Sequence, residues 1–176
     1  MRVKLLFHTD LEAIKRVLRS KNVSFDPEKV LDHVVYMFEI EDCSRVTTHQ
    51  LVRHRLASYD QESQRFSSAS REGSVTPVSI QSNESALKAY DVALKAAYEG
   101  FEKLTSLGVP KEDARYVLPS AIKTKLVMTV TARSLMHIVW QRTAMQAQWE
   151  IRDLVTKMMD LAKEATPELW AKIIER

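Results

Sequence analysis

The chain has 176 residues, 45% of them hydrophobic and 28% charged, a composition that fits one soluble domain, residues 1–176, with a packed core. Its 26 basic and 23 acidic residues leave a net charge of only +3, which argues against a polycationic surface for duplex nucleic acid. No apolar run is long enough to cross a bilayer and the amino terminus soon turns charged, unlike a cleavable signal, so a cytoplasmic protein is expected.

Residues 2–7 read as a short strand. The run from Thr9 to Glu12 has the pattern of a capping box opening a helix to about Leu18, and Pro27 starts a second short helical segment. Alternation of Val34, Tyr36, Phe38 and Ile40 predicts a strand. The single cysteine, Cys43, has no partner for an internal disulfide, and Glu41 and Asp42 beside it are the wrong setting for a nucleophilic thiol, so it reads as a small core or boundary residue. Ser44 then caps a helix that carries Val46, Gln50 and Leu51 forward.

That helix leads into residues 53–66, where Arg53, His54 and Arg55 are followed by Ser58, Ser63 and Arg65 in about one helical turn plus a loop. From Ser44 to Arg71 every basic side chain other than histidine is an arginine, against two acids, Asp60 and Glu62. A guanidinium grips phosphate or carboxylate through a planar fork, whereas lysine offers a flexible point charge. Successive helical residues point about 100° apart, so the three adjacent side chains cannot reach one ligand from one regular helix. Either they sit where a helix ends or they serve different ligands, even in different subunits.

Residues 67–82, rich in serine with Gly73 and Pro77, read as a loop. Leu87, Tyr90, Leu94, Ala97, Phe101 and Leu104 then place one apolar stripe on a helix that stops near Gly108 and Pro110. Residues 111–117 form a short helix presenting Arg115, and Pro119 ends it. Ile122, Thr124, Leu126, Met128 and Val130 alternate as in a half-exposed strand. Thr131 caps a helix to about Arg142, another covers residues 148–162, and Thr166 with Pro167 begins a last one that ends at Arg176. The fold class is α+β, with helices packed on an antiparallel sheet. Trp140, Trp149 and Trp170 read as packing residues rather than stacking platforms. Three glycines cannot build a GxGxxG turn or a P-loop, and the five histidines lack paired metal-ligand spacing, so no metal site is expected.

The motif from Arg53 to Arg65 resembles the signature of the flavin-dependent thymidylate synthases, RHRxxSxNExSxRY. The likeness continues upstream at His33 and Gln50, and downstream in residues 108–119 and 131–154, in the family's order. The resemblance implies conversion of dUMP to dTMP with FAD, methylenetetrahydrofolate as one-carbon donor and NADPH as reductant, without a cysteine nucleophile. It further implies a homotetramer whose active sites lie between subunits.

Carried over residue by residue, Arg142 and Ser63 take the catalytic places. Gln50, Arg53, Ser63, Arg65, Arg115 and Arg142 are expected around dUMP, with Arg115 on the phosphate and Arg142 beside the uracil. Arg53, His54, Arg55, Gln61 and His137 are expected against FAD, and His33 on the folate and nicotinamide face. Within the motif the usual Asn-Glu pair is Asp60-Gln61 and the final tyrosine is Phe66, while Thr131 stands where an asparagine is common. The chain is also short for the family at both ends. These departures leave three rivals: a family member acting on another pyrimidine nucleotide, a nucleotide- or flavin-binding relic without turnover, and a nucleic-acid-binding module. The even charge balance makes the last the weakest.

Overall fold

The structure, a computed structural model, describes residues 1–63 and 73–174. Gln64, Arg65, Phe66 and Arg71, residues 67–72 of the expected loop and the expected helix end at Arg176 lie outside the described residues. In chain order the elements are β1 (Arg2–His8), α1 (Leu11–Ser20), α2 (Pro27–Val30), β2 (Val35–Ser44), α3 (Arg45–Leu51), β3 (Ala57–Gln61), α4 (Val78–Gln81), α5 (Glu84–Ser106), α6 (Lys111–Ala114), a 3-10 turn (Arg115–Val117), β4 (Lys123–Thr131), α7 (Ala132–Arg142), α8 (Trp149–Ala165) and α9 (Pro167–Ile174). The class is α+β, and the four strands form an antiparallel sheet in the order β1-β2-β4-β3.

The chain divides into two compact units. One comprises residues 1–40, 50–60 and 126–176, the other residues 41–49 and 61–125.

In the first unit, α8 buries Ile151, Leu154, Val155, Met158, Met159 and Ala162, a three-and-four spacing that makes one continuous apolar face. That helix packs on β1, α7 and α9. Tyr36, Phe38 and Ile40 of β2 and Leu126, Met128 and Val130 of β4 are buried at every second position, as strand geometry requires. Trp170 is fully buried, its ring stacked on Tyr36, and its Nε1–H donates to the Tyr36 hydroxyl at 3.0 Å; Thr166 Oγ1 bonds the same hydroxyl. A buried indole thereby satisfies its one donor.

Asp10, not Thr9, caps α1: its Oδ1 accepts from Glu12 N at 2.9 Å, while the Thr9 hydroxyl accepts from Val35 N at 2.9 Å. Thr9 is thus drawn to the neighbouring strand, and the next residue takes over the helix end. The expected packing role holds for Trp170 but not for its two companions. Trp140 is 73% exposed, because it lies on the face of α7 opposite Leu135 and Ile138, and Trp149 is 38% exposed at the start of α8.

In the second unit, α5 presents Leu94, Tyr98 and Phe101 inward, and Leu94 and Tyr98 join Ile122 in a small core flanked by Tyr90, Leu118 and Ala121. Asn83 caps the helix through Ala86 N at 3.0 Å. Its far end closes with Gly108 at φ +85°, where Gly108 N reaches Thr105 O and Val109 N reaches Leu104 O. This paired closure needs a left-handed residue, which glycine supplies without a Cβ clash. Residues 78–81, expected as loop, form one helical turn, and the expected helix over 111–117 is a single α turn followed by a 3-10 turn.

Candidate functional site

The helix α3 follows Ser44, whose hydroxyl accepts from Thr47 N at 3.1 Å, as expected of a cap, and it ends at Leu51. Arg53, His54 and Arg55 therefore follow a helix end. What comes next is not the expected loop but the edge strand β3, preceded by a turn in which His54 N donates to Leu51 O at 3.1 Å. Tyr59 of β3 pins this turn. Its hydroxyl lies 2.9 Å from Leu51 O and 3.0 Å from His54 O, one proton shared between two carbonyls. Burial pushes the Tyr59 hydroxyl up to about 12, so it remains a donor across the working pH range.

Against the turn stands Arg142, the last residue of α7. Its Nε donates to His54 Nε2 at 2.9 Å and its Nη2 to Gln50 O at 3.3 Å. An imidazole nitrogen that accepts from a guanidinium carries no proton of its own, so His54 is neutral with its hydrogen on Nδ1. Burial, the Arg142 charge and His137 together push His54 down to about 4. The first unit thus holds Gln50 and Arg142, expected around dUMP, and His54 and His137, expected against FAD. Arg53 and Arg55 are exposed and make no hydrogen bond or ion pair among the described residues. His33, in the turn after α2, is exposed as well, its backbone N bonded to Val30 O.

The exposed face of α7 lines a pocket of about 780 Å³, with Arg133, Met136, His137 and Trp140 at helical spacing and Leu56 and Thr131 completing the wall. Thr131 caps this helix through Ser134 N at 3.2 Å. Arg133 is fixed by both Asp32 carboxylate oxygens, at 2.8 and 2.7 Å, and by Glu28 O at 3.0 Å. The His137 and Trp140 rings lie 6.2 Å apart, and Gln141 bonds His137 at 2.9 Å. A smaller cavity of about 260 Å³, lined by Arg55, Ser58, Thr129 and Thr131, shares Leu56 with the first. An apolar pocket with an exposed indole, an imidazole and a fixed cation suits a flat heteroaromatic ligand.

The second unit contributes a different set. Gln61 Nε2 donates to Thr48 Oγ1 at 3.0 Å and to Thr124 Oγ1 at 3.3 Å. Arg115 is half-buried and donates from Nε to Glu112 O at 3.0 Å, and Ser63 is also half-buried. Arg45 donates from Nη2 to Glu62 O at 3.0 Å, while its Nε is buried with no acceptor among the described residues. Burial first, and the Arg115 charge second, hold the Arg45 guanidinium below its usual range. Two guanidiniums in one another's field suit an anion such as phosphate. Sequence reasoning gave no role to Arg45, Arg133 or Tyr59. The only signal for Arg45 was its place directly after a capping serine in a lysine-free stretch.

Residues 7–168 match the family model described as thymidylate synthase complementing protein. The chain is 41% identical over 152 residues to a flavin-dependent thymidylate synthase of Geobacter sulfurreducens, a match covering 85% of this chain and 66% of that relative. Identity to the Sulfurisphaera tokodaii protein of the same name is 46% over 143 residues, covering 80% and 55%. The chain thus spans between about half and two thirds of the length of the curated relatives it matches. Among solved structures, thymidylate synthase X from Helicobacter pylori, crystallised with FAD and dUMP, matches with a TM-score of 0.68 at 26% identity, over 92% of this chain and 93% of that one.

Proposed function

This chain belongs to the thymidylate synthase complementing protein family, and from that premise we propose that it is a flavin-dependent thymidylate synthase that methylates dUMP to dTMP. The observation that carries the reading is the Arg142 guanidinium, anchored along one edge to His54 and Gln50 O, which leaves its other N–H groups to a substrate. A guanidinium beside a uracil carbonyl stabilises the negative charge that develops on the ring when C5 attacks an electrophile. Preorganisation by two acceptors reduces the reorganisation needed at that moment.

FAD fits the described residues: Arg53 and Arg55 have free guanidiniums for its phosphates, and His137 and Trp140 edge the apolar pocket. Bound there, FAD supplies hydride transfer, with NADPH as the reductant and methylenetetrahydrofolate as the one-carbon donor. Arg115 and Arg45 take the dUMP phosphate, helped by Ser63 and by Arg65. Gln50 and Arg142 address the base, with Ser63 completing the catalytic set. His33 serves the folate and nicotinamide face. The family match runs through residues of both units, which supports residues 1–176 acting as one functional domain. Exposed Leu56, Trp140, Met145 and Tyr116 support a homotetramer, since so much open apolar surface favours covering by further subunits. Among the described residues no helix is long and apolar enough to cross a membrane.

The test is spectroscopic. Protein loaded with FAD and freed of excess by gel filtration is expected to retain flavin absorbance, to shift it saturably with dUMP, and to form dTMP once NADPH and methylenetetrahydrofolate are added. Retained flavin indifferent to dUMP would transfer the reading to another pyrimidine nucleotide. A saturable dUMP shift without dTMP would leave a binding relic, and absence of flavin would remove the enzyme assignment.

A further inference from the structure

Three nitrogens of a guanidinium share one plane, so fixing two of them fixes the direction of every remaining N–H. In Arg142 those two are Nε, bonded to His54 Nε2, and Nη2, bonded to Gln50 O. Gln50 O belongs to the backbone of α3 and stays whatever the side chain there. The imidazole is therefore the only side chain among the described residues that orients Arg142. It is itself well supported: His54 N bonds Leu51 O, and the Tyr59 hydroxyl bonds His54 O, so the ring projects from a turn held at both its donor and its acceptor.

We infer that His54 is a positioning residue that sets the plane of the Arg142 guanidinium, and that dUMP chemistry requires this imidazole to be neutral. The inference deepens the functional reading above and rests on it for what Arg142 does.

Protonating Nε2 would replace an accepted hydrogen bond by two cations at contact distance. Among the described residues, the groups whose charge bears on the ring are Arg142 and His137, both from α7. Neither is a carboxylate, and the field of Arg142 and His137 adds to burial in disfavouring imidazolium. Nδ1–H has no partner among the described residues and is left to donate to a bound ligand. The ring thus orients the uracil-side arginine through Nε2 and keeps a second donor at Nδ1.

Two measurements test this. In the unliganded protein labelled with 15N-histidine, His54 is expected to show the Nδ1–H tautomer and to stay neutral to about pH 4, and Arg142→Leu should raise its midpoint by about one unit or more. A midpoint near 6.5 that ignores Arg142→Leu overturns the pairing. In turnover at saturating FAD, His54→Leu should lower kcat about ten- to a hundredfold through misplacement of Arg142. His54→Gln, which keeps an acceptor, should recover to within about threefold of wild type and lose the acid limb of the pH profile. Equal losses in both variants overturn the positioning role. Wild-type protein that forms no dTMP would instead remove the functional reading, while the titration would still decide the pairing.

Discussion

Arg45 and Arg142 are each held by one edge, yet they differ in what the fold leaves unmet. Arg142 has both inward nitrogens bonded, whereas among the described residues Arg45 keeps a buried Nε with no acceptor beside the charge of Arg115. An unmet buried donor costs about 1–3 kcal/mol, a cost that a bound anion would offset. Arg45→Met should therefore raise the folding stability by about 1 kcal/mol in urea melts while weakening dUMP binding at least about tenfold. Loss of stability with dUMP binding unchanged would show that Arg45 is structural. His54 gives a second residue-scale expectation. Its folded midpoint of about 4 lies below the unfolded 6.5, so the stability it contributes is complete above pH 6.5 and declines as pH falls from there through 4. After solvent screening the loss is on the order of 1 kcal/mol, and urea melts of His54→Gln should lack it. Arg53, His54, Arg55 and Arg142 were recognisable as candidates because the motif is contiguous and Arg142 lies in a recognisable block, and the fold brings Arg142 onto His54. Arg45, Arg133 and Tyr59 were not, since their significance is a contact made after folding: a missing acceptor, an Asp32 carboxylate, two carbonyls of a turn.

At the scale of elements, the caps at Ser44 and Thr131 and the apolar stripe of α5 were readable because each is a local pattern with a local cause. The strand β3 escaped because, Tyr59 apart, Ala57, Ser58, Asp60 and Gln61 carry little strand preference. An edge position beside β4 imposes extension that the side chains alone do not announce. The end of β2 escaped for another reason. Past Ile40 the alternation slips, with Glu41 and Asp42 both half-buried and Asp42 at φ +59°, as in a bulge, and only then are Cys43 and Ser44 buried. Misreading β3 also hid Tyr59, whose hydroxyl joins that strand to the arginine turn. Tyr59→Phe removes this donor from His54 O and leaves Leu51 O with His54 N alone, and it is expected to cost about 1–2 kcal/mol in urea unfolding. Because the turn carries Arg53 and Arg55, the same variant should retain less FAD after gel filtration. Unchanged flavin retention would show that β3 alone holds the turn.

At the scale of the whole molecule, the sequence pattern establishes what each segment is but not what covers it, and this is why Trp140 was misjudged. An indole on an amphipathic helix reads as core, yet it lies 73% exposed in a helix whose apolar face is already satisfied. The same surplus of open apolar side chains, with Arg53 and Arg55 unpaired among the described residues, agrees with sites completed by neighbouring copies of the chain. Sedimentation is expected to give four times the 20.2 kDa subunit, with a monomer as the contrary result. Mass alone does not show shared sites, but mixing does. Arg53→Ala and Arg115→Ala should each be inactive; if Arg53 and Arg115 serve one site from different subunits, chains unfolded together and refolded will rebuild some sites intact. Random assembly then restores about a quarter of wild-type turnover, since each intact site needs the right variant on both sides of the interface. Recovery absent from a mixture that reassembles to the same mass would place both arginines on one subunit, and each chain would then carry a complete site of its own.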